Sequence, residues 1–278
     1  MKDYKRLLTI QDISCVGQCS LTVALPIISA CGIETAILPS AVLSTHTGGF
    51  TGFTFRDLTD DIPLIESHWK KEGLKFDAFY TGYLGSPRQI DYVKDILASL
   101  GKEKSVNIID PAMADYGKLY VGFGPDHVEA MKKLCENADF LLPNITEACF
   151  LTDSEYRTEY DEAYVKDLCE KLITAGAKTV ILTGVSYDDA TTGVVVYSNG
   201  KLEYYRHKKI AQGCHGTGDV YASAFAGALL NGKSTFESAK IAADYTVACI
   251  ESTIGDENHR YGVKFELELP RLIKMINN

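Results

Sequence analysis

Several common signatures of protein function are missing from this 278-residue sequence. It has no G-x-x-x-x-G-K-[ST] phosphate loop, no G-x-G-x-x-G followed by a strand lysine, and no dinucleotide fingerprint after its first predicted strand. Its eight cysteines form no C-x-x-C pair, and no cysteine–histidine pair has the spacing of a zinc site. These absences exclude the nucleotide, redox and zinc sites that are most easily recognised from sequence.

Positive charge clusters and long apolar runs are also missing. The net charge is −9, which argues against nucleic acid or an anionic membrane surface as a partner. No apolar run reaches membrane-spanning length, and the charged start from Met1 to Arg6 leads directly into a strand pattern rather than a signal peptide. We therefore expect a cytoplasmic protein with reduced thiols that binds neither nucleic acid nor membranes.

What the sequence does contain is a regular alternation of short strand patterns and helix patterns. This alternation predicts a mostly parallel sheet covered by helices on both faces. Because there is no internal repeat, linker or break in composition, we predict one domain over residues 1–278. The predicted strands are Arg6–Ile10, Ile33–Leu38, Asp77–Thr81, Val106–Asp110, Phe140–Leu142, Thr179–Leu182 and a hairpin of Thr192–Val196 and Leu202–Arg206 around Asn199-Gly200. The predicted helices are Ser20–Ala30, Asp61–Lys71, Pro87–Leu100 capped by Ser86, Asp126–Glu136, Asn144–Phe150, Ala163–Ala175, Val220–Leu230, Thr235–Glu251 and Lys264–Met275.

The stretch G-C-H-G-T-G-D at Gly213–Asp219 places three glycines and an aspartate directly before a predicted helix. Glycine lets the backbone approach a ligand closely, and a helix N-terminus offers unpaired N–H groups, so this turn predicts an anion site. A carboxylate there would repel a bound phosphate, but it could act as a base toward a hydroxyl that attacks a phosphoryl group. The alternative is that Asp219 only interacts favourably with the helix dipole.

Polar residues follow the predicted strands, at the ends where open α/β sheets bind their ligands. Asn144 and Glu147, in P-N-x-x-E, would suit an Mg²⁺ site through water, or would form a helix-capping pair. The other polar positions at strand ends are Gln11, Asp12, Ser44, Thr45, His46, Thr47, Thr81, Tyr83, Asp110, Asp115 and Thr183, the last followed by Gly184.

Four motifs together resemble the ribokinase superfamily, and within it most of all the pyridoxal kinases. They are G-T-G-D at Gly216–Asp219, P-N-x-x-E-A at Pro143–Ala148, D-P-A-M-A-D at Asp110–Asp115 and S-T-H-T-G at Ser44–Gly48. The resemblance covers nearly the whole chain. It implies a ribokinase-like three-layer α/β/α sandwich with a central, mostly parallel sheet. It also implies ATP-dependent phosphorylation of the 5′-hydroxymethyl group of pyridoxal, pyridoxine or pyridoxamine, with Mg²⁺, K⁺ near the anion hole and a homodimer.

The same resemblance implies roles for individual residues. Asp219 would be the general base, and Gly216, Thr217 and Gly218 would form the anion hole for the transferring phosphoryl group. Thr47 and Tyr83 would line the pyridine pocket, with His46 beside them. Asp110, Asp115, Asn144 and Glu147 would lie near the ATP phosphates, with Asp110, Asn144 and Glu147 serving Mg²⁺, and Thr183 and Gly184 would border the nucleotide.

Two features depart from the pyridoxal kinase pattern. Many members have serine after the first-strand glutamine, whereas this chain has Asp12, which could face a pyridinium nitrogen or a ring hydroxyl, or cap the next turn. The run C-H-G-T-G also resembles hydroxymethylpyrimidine kinases of thiamine synthesis, although these usually have cysteine in place of Asp219. Such a kinase and a non-catalytic B6 binder are the two alternatives; Asp219 argues against the binder, which needs no base.

Overall fold

The computed structural model describes residues 4–210 and 214–278, and these form eleven strands and nine helices. The strands are β1 Arg6–Ser14, β2 Glu34–Leu43, β3 Phe55–Asp57, β4 Phe76–Thr81, β5 Gly101–Ile109, β6 Ala114–Asp115, β7 Lys118–Leu119, β8 Phe140–Leu141, β9 Val180–Val185, β10 Thr191–Ser198 and β11 Lys201–Lys208. The helices are α1 Leu21–Ala30, α2 Ile62–Lys71, α3 Pro87–Leu100, α4 Pro125–Cys135, α5 Ile145–Thr152, α6 Glu162–Thr174, α7 Thr217–Leu230, α8 Thr235–Glu251 and α9 Phe265–Asn277.

The chain divides into two compact units, and the first comprises residues 1–62 and 210–278. Its strands lie in the order β1-β2-β3, with β1 parallel to β2 and the short edge strand β3 antiparallel. Leu7, Leu8 and Ile10 of β1 are fully buried, as expected for a strand of a parallel sheet. Helix α7 contacts both α1 and α8, and its small and apolar residues from Val220 onward are nearly all buried. In the first unit, the residues at the end of β1 and at the start of α7 are therefore held by elements that are themselves buried.

The second unit comprises residues 63–209, with strands in the order β4-β5-β8-β9-β10-β11. Strands β4, β5, β8 and β9 are parallel, and β10 and β11 form an antiparallel hairpin at the edge of this sheet. Asn199 and Gly200 both have positive φ, 52° and 75°, as the two-residue hairpin turn requires. Phe76, Phe79 and Tyr80 of β4 are almost completely buried.

The predicted elements are present, with some different boundaries. Ser86 caps α3 as predicted: its side chain accepts the N–H of Gln89 at 3.3 Å, and Pro87 is the first helical residue. Strand β5 begins earlier than predicted, because its first residues are exposed and polar and carry no apolar signal. Strands β3, β6 and β7 were not predicted, since two or three residues cannot show a period.

No helix in residues 4–210 and 214–278 is long and apolar enough to cross a membrane. The assignment of the whole chain to one domain stays a prediction.

Candidate active site

The glycine turn before α7 has the backbone that the sequence predicts, although Gly213 lies outside the described residues. Gly216 is the N-cap of α7 and has a left-handed conformation, with φ 74°. A Cβ atom at this position would lie 1.8 Å from the carbonyl oxygen of Gln18, so only glycine fits here. A Cβ atom at Gly218 would have no atom of residues 4–210 and 214–278 within 4 Å. The turn therefore combines a glycine that the fold requires with one at which the described residues leave room for a side chain.

Asp219 lies in the first turn of α7 and is half-buried. Its Oδ2 accepts the backbone N–H of Ser20 at 2.9 Å. Desolvation raises the pKa of the Asp219 carboxyl to about 7, the Ser20 N–H opposes this rise, and the charge of Asp12 adds to it. A carboxyl group with a pKa near neutrality is suited to general-base catalysis, because it is ionised yet still basic at that pH.

Asp12 is a buried carboxylate of β1, at a point where the pairing of β1 with β2 shifts register between Gln11 and Ile13. Irregularities of this kind redirect side chains. Ser14 Oγ donates to Asp12 Oδ2 at 3.3 Å. Burial raises the pKa of Asp12, and the side chains of Ser20 and Ser14 lower it. The structure thus brings Asp12 into the electrostatic neighbourhood of Asp219.

His46 lies in the loop after β2, where its backbone N–H donates to the Val16 carbonyl at 2.8 Å. Its Nδ1 accepts the N–H of Gly48 at 3.2 Å, and its ring meets the His215 ring edge-on with 5.6 Å between centroids. Burial and the neighbouring His215 lower the pKa of His46. Thr47, next in the chain, is exposed. The first unit therefore joins the S-T-H-T-G loop to the histidine that precedes Gly216.

The remaining candidate for the pyridine pocket, Tyr83, belongs to the second unit. Its ring stacks on Phe123 at 5.4 Å between centroids, and Phe123 stacks on His127 at 3.7 Å. Within this unit Tyr83 is therefore the end of a three-ring stack, a contact that the sequence did not indicate.

Asn144 and Glu147 form a capping box at the start of α5, so the capping interpretation is confirmed. Glu147 also accepts the N–H of Met113 at 3.2 Å, and Asn144 Nδ2 donates to the Ala114 carbonyl at 2.9 Å. Burial raises the pKa of the Glu147 carboxyl, the backbone N–H groups lower it, and Asp115 adds to the rise. The pair therefore fixes the D-P-A-M-A-D segment as well as the helix.

The other candidates of the second unit are Thr183, Gly184, Asp110 and Asp115. Thr183 forms a parallel β-bridge with Asn144, and its N–H and hydroxyl both donate to the Pro143 carbonyl, at 2.9 and 3.2 Å. Gly184 follows with φ 69° and is exposed. Asp110 comes directly after β5, and Asp115 is exposed with its Oδ1 accepting the Tyr116 N–H at 2.8 Å.

The chain was compared with models of known protein families. Residues 61–263 match the model of the family described as phosphomethylpyrimidine kinase. The chain belongs to this family.

Three relatives of this kinase family are similar over most of the chain. A protein from Bacteroides thetaiotaomicron, described as a phosphomethylpyrimidine kinase, is 36% identical to this chain and has a TM-score of 0.93. The superposition covers 97% of this chain and 94% of the Bacteroides chain. Its orthorhombic crystal form contains pyridoxal. A pyridoxal kinase from Lactobacillus plantarum is 30% identical, with a TM-score of 0.91 covering 98% and 97% of the two chains. A pyridoxal kinase from Granulibacter bethesdensis is 27% identical over 230 residues, 79% of each chain. These likenesses confirm the predicted ribokinase-like fold with its mostly parallel sheet.

Two residues that contact the candidate site residues were not predicted from the sequence. Ser20 contacts Asp219, and His215 packs so closely on the loop of His46 that a Cβ atom at Gly48 would lie 2.7 Å from its ring. His215 could have been found from its place in C-H-G-T-G-D. Ser20 carries no such signal, because serine at a helix start predicts only a cap.

Proposed function

We propose that this protein is an ATP-dependent kinase that phosphorylates the 5′-hydroxymethyl group of pyridoxal, pyridoxine or pyridoxamine. The observation that carries the proposal is Asp219, a half-buried carboxylate with a pKa of about 7 in the first helical turn after the glycine turn. A protein that only bound the vitamer would have no use for a buried base at this position. The pyridoxal in the Bacteroides relative and the activity named for the Lactobacillus relative support the same substrate class.

In the proposed reaction, Asp219 accepts the proton of the hydroxymethyl group, whose oxygen attacks the γ-phosphorus of ATP. The bond from this phosphorus to the β,γ-bridging oxygen breaks, and ADP leaves. The backbone N–H groups of Gly216, Thr217 and Gly218 hold the negative charge of the transferring phosphoryl group. Asp12, His46, Thr47 and Tyr83 are proposed to bind the pyridine ring. Thr183 and Gly184 are proposed to border the nucleotide.

Mg²⁺ would neutralise charge on the ATP phosphates when bound. Among residues 4–210 and 214–278, no group of three histidine, cysteine, aspartate or glutamate side chains forms a metal cluster. Each Glu147 oxygen already accepts a backbone N–H but keeps a second lone pair, and carboxylate and amide oxygens are what Mg²⁺ prefers. These side chains therefore fit a Mg²⁺ ion that is held mainly by phosphates and water. The residues proposed to lie near that ion are Asp110, Asp115, Asn144 and Glu147. K⁺ near the anion hole belongs to the same proposal.

The deciding experiment is an ATP-consumption assay with each vitamer, in which the product is identified by mass spectrometry. We expect turnover with at least one vitamer, and Asp219→Asn serves as the control for a contaminating kinase. ATP consumption absent with every vitamer, despite vitamer binding, would support a binder instead.

A second candidate is a hydroxymethylpyrimidine kinase, which the C-H-G-T-G run and the family match favour. Comparing kcat/KM for hydroxymethylpyrimidine with that for pyridoxal separates the two, since a larger value for the pyrimidine would reverse the assignment.

We also propose a cytoplasmic homodimer whose chain is a single domain. Light scattering on the purified protein measures the oligomeric state.

A further inference from the structure

Ser20 begins helix α1 but does not behave as an ordinary N-cap. The backbone N–H groups of Val23 and Ala24 point to its carbonyl oxygen, at 3.1 and 2.9 Å, so the helix starts here. Its side chain makes no capping hydrogen bond, although serine is one of the best capping residues. The Ser20 side chain instead lowers the pKa of the buried Asp12 carboxyl. It therefore acts on the candidate site rather than on its own helix.

The backbone of Ser20 is also unusual, with φ 51° and ψ −134°. Residues other than glycine rarely adopt such a conformation, and it persists where the surrounding structure enforces it, often at functional sites. Here the loop is held from two sides: Thr22 Oγ1 donates to the Gly17 and Cys19 carbonyls at 2.9 and 2.7 Å, and Gln18 N–H donates to the Tyr261 carbonyl at 3.1 Å. The strained conformation directs the Ser20 N–H at Asp219 Oδ2, 2.9 Å away.

We infer that Ser20 is a positioning residue of this site, which holds Asp219 through its backbone N–H, faces Asp12 with its hydroxyl, and so sets the placement of the proposed base. The inference rests on the proposed function for the roles of Asp219 as base and Asp12 as ring contact. The other groups that face the two carboxylates are Ser14, which donates to Asp12, and the buried Cys19 thiol, which burial, Asp219 and Asp12 keep protonated by raising its pKa.

The hydroxyl half of the inference is tested with Ser20→Ala and Ser20→Gly. Each variant removes the side chain that lowers the pKa of Asp12, so a smaller fraction of this carboxyl is ionised and available to the pyridine ring. We expect KM for pyridoxal to rise about three- to tenfold, the size of one lost polar contact, with KM for ATP unchanged. Because glycine adopts positive φ without strain, a defect shared by both variants does not come from strain.

Ser238→Ala is the matched control. Ser238 is a fully buried serine of α8, in the same unit, whose hydroxyl has no hydrogen-bond partner within the described chain. Ser238→Ala therefore measures the effect of removing a buried hydroxyl that has no part in the candidate site. We expect this variant to have the kinetics of the parent protein. Parental KM for pyridoxal in both Ser20 variants would overturn the hydroxyl half.

The N–H half is tested by thermal unfolding of Asp219→Asn and Asp219→Ala without ligands. The asparagine side chain still offers an oxygen to the Ser20 N–H, whereas alanine leaves this donor without its acceptor. We expect the Tm of Asp219→Ala to lie several degrees below that of Asp219→Asn; equal or reversed values would overturn this half. This comparison needs no activity, so it still decides the contact if no vitamer is phosphorylated and the proposed function fails.

Discussion

Asn144 and Glu147 each accept the backbone N–H of the other through their side chains, and both distances are 2.9 Å. Glu147 accepts a further N–H from Met113, so that one carboxylate joins the start of α5 to the segment after β5. The pair is therefore structural whatever else it does. The proposed role of the pair in binding Mg²⁺ has to be measured separately from its contribution to stability.

Glu147→Gln separates these two roles. A glutamine has only one acceptor oxygen, so one of the N–H donors that Glu147 holds is left unpaired, and we expect unfolding to become easier by about 1–3 kcal/mol. If Glu147 also acts through Mg²⁺ waters, the Mg²⁺ concentration for half-maximal rate rises as well. Denaturant titration and a Mg²⁺ titration of the rate measure the two effects. A loss of stability alone would leave capping as the only role.

Asp219→Asn tests the proposed base. Turnover should fall by about 10²–10⁴, the usual value of general-base catalysis, while the affinity for ATP is kept. In the parent enzyme kcat/KM should rise with pH up to about 7 and then level off, because burial raises the pKa of Asp219 to about 7 and only the ionised form accepts a proton. Stopped assays across this pH range measure both effects. Turnover of the variant within a few-fold of the parent would exclude the role.

Asp12→Ala tests the contact that departs from the pyridoxal kinase pattern. We expect KM for the vitamer to rise about tenfold, equivalent to a loss of about 1.4 kcal/mol, because the partner of this buried carboxylate would be the substrate ring. KM for ATP should change little, and Asp12→Ser should give an intermediate value. A change confined to KM for ATP would place Asp12 near the phosphates, and no change in either would leave it a structural residue.

Gly216→Ala and Gly218→Ala form a matched pair in the anion turn. The added methyl group at Gly216 meets the Gln18 carbonyl, so this variant should lose stability and activity together. At Gly218 the methyl group meets no atom of the described residues, and alanine is the better helix former by roughly 0.5–1 kcal/mol, so stability should be kept or increased. If the Gly218 N–H approaches the transferring phosphoryl group, turnover still falls. Parental turnover of a stable Gly218→Ala would argue against that approach.

His127 makes folding sensitive to acid. Burial lowers the pKa of its ring from 6.5 to about 4, with Asp126 opposing, and neither ring nitrogen has a hydrogen-bond partner within the described chain. Between these pKa values the unfolded state binds a proton that the folded state does not, so stability falls as pH decreases through this range. At pH 5 the loss should be about 2 kcal/mol. His127→Phe, which retains a ring to stack on Phe123, should lack this loss when denaturant unfolding at pH 7 and pH 5 is compared. The same loss in the variant would assign it to other groups.

Local signals determined much of the fold, because they act between neighbours in the chain. Ser86-Pro87 set the start of α3, Asn199-Gly200 set the hairpin, and the N-x-x-E spacing set the capping box of α5. Each of these three features depends on hydrogen bonds or backbone angles between residues that are close in the chain. The types and spacing of those residues are enough to specify them. The same is true of the glycine turn, where permissive backbone precedes a helix N-terminus.

Only the tertiary structure decided how these pieces act on one another. The bond between Ser20 and Asp219 joins residues 199 positions apart, and Ser20 adopts a backbone conformation that its residue type disfavours. The pKa of Asp219 depends on burial and on Asp12, which come from packing and not from neighbours in the chain. The sequence by itself determined which residues are candidates for the chemistry. Long-range packing determined which of them meet and with what basicity, because desolvation and strain arise only when distant segments pack together.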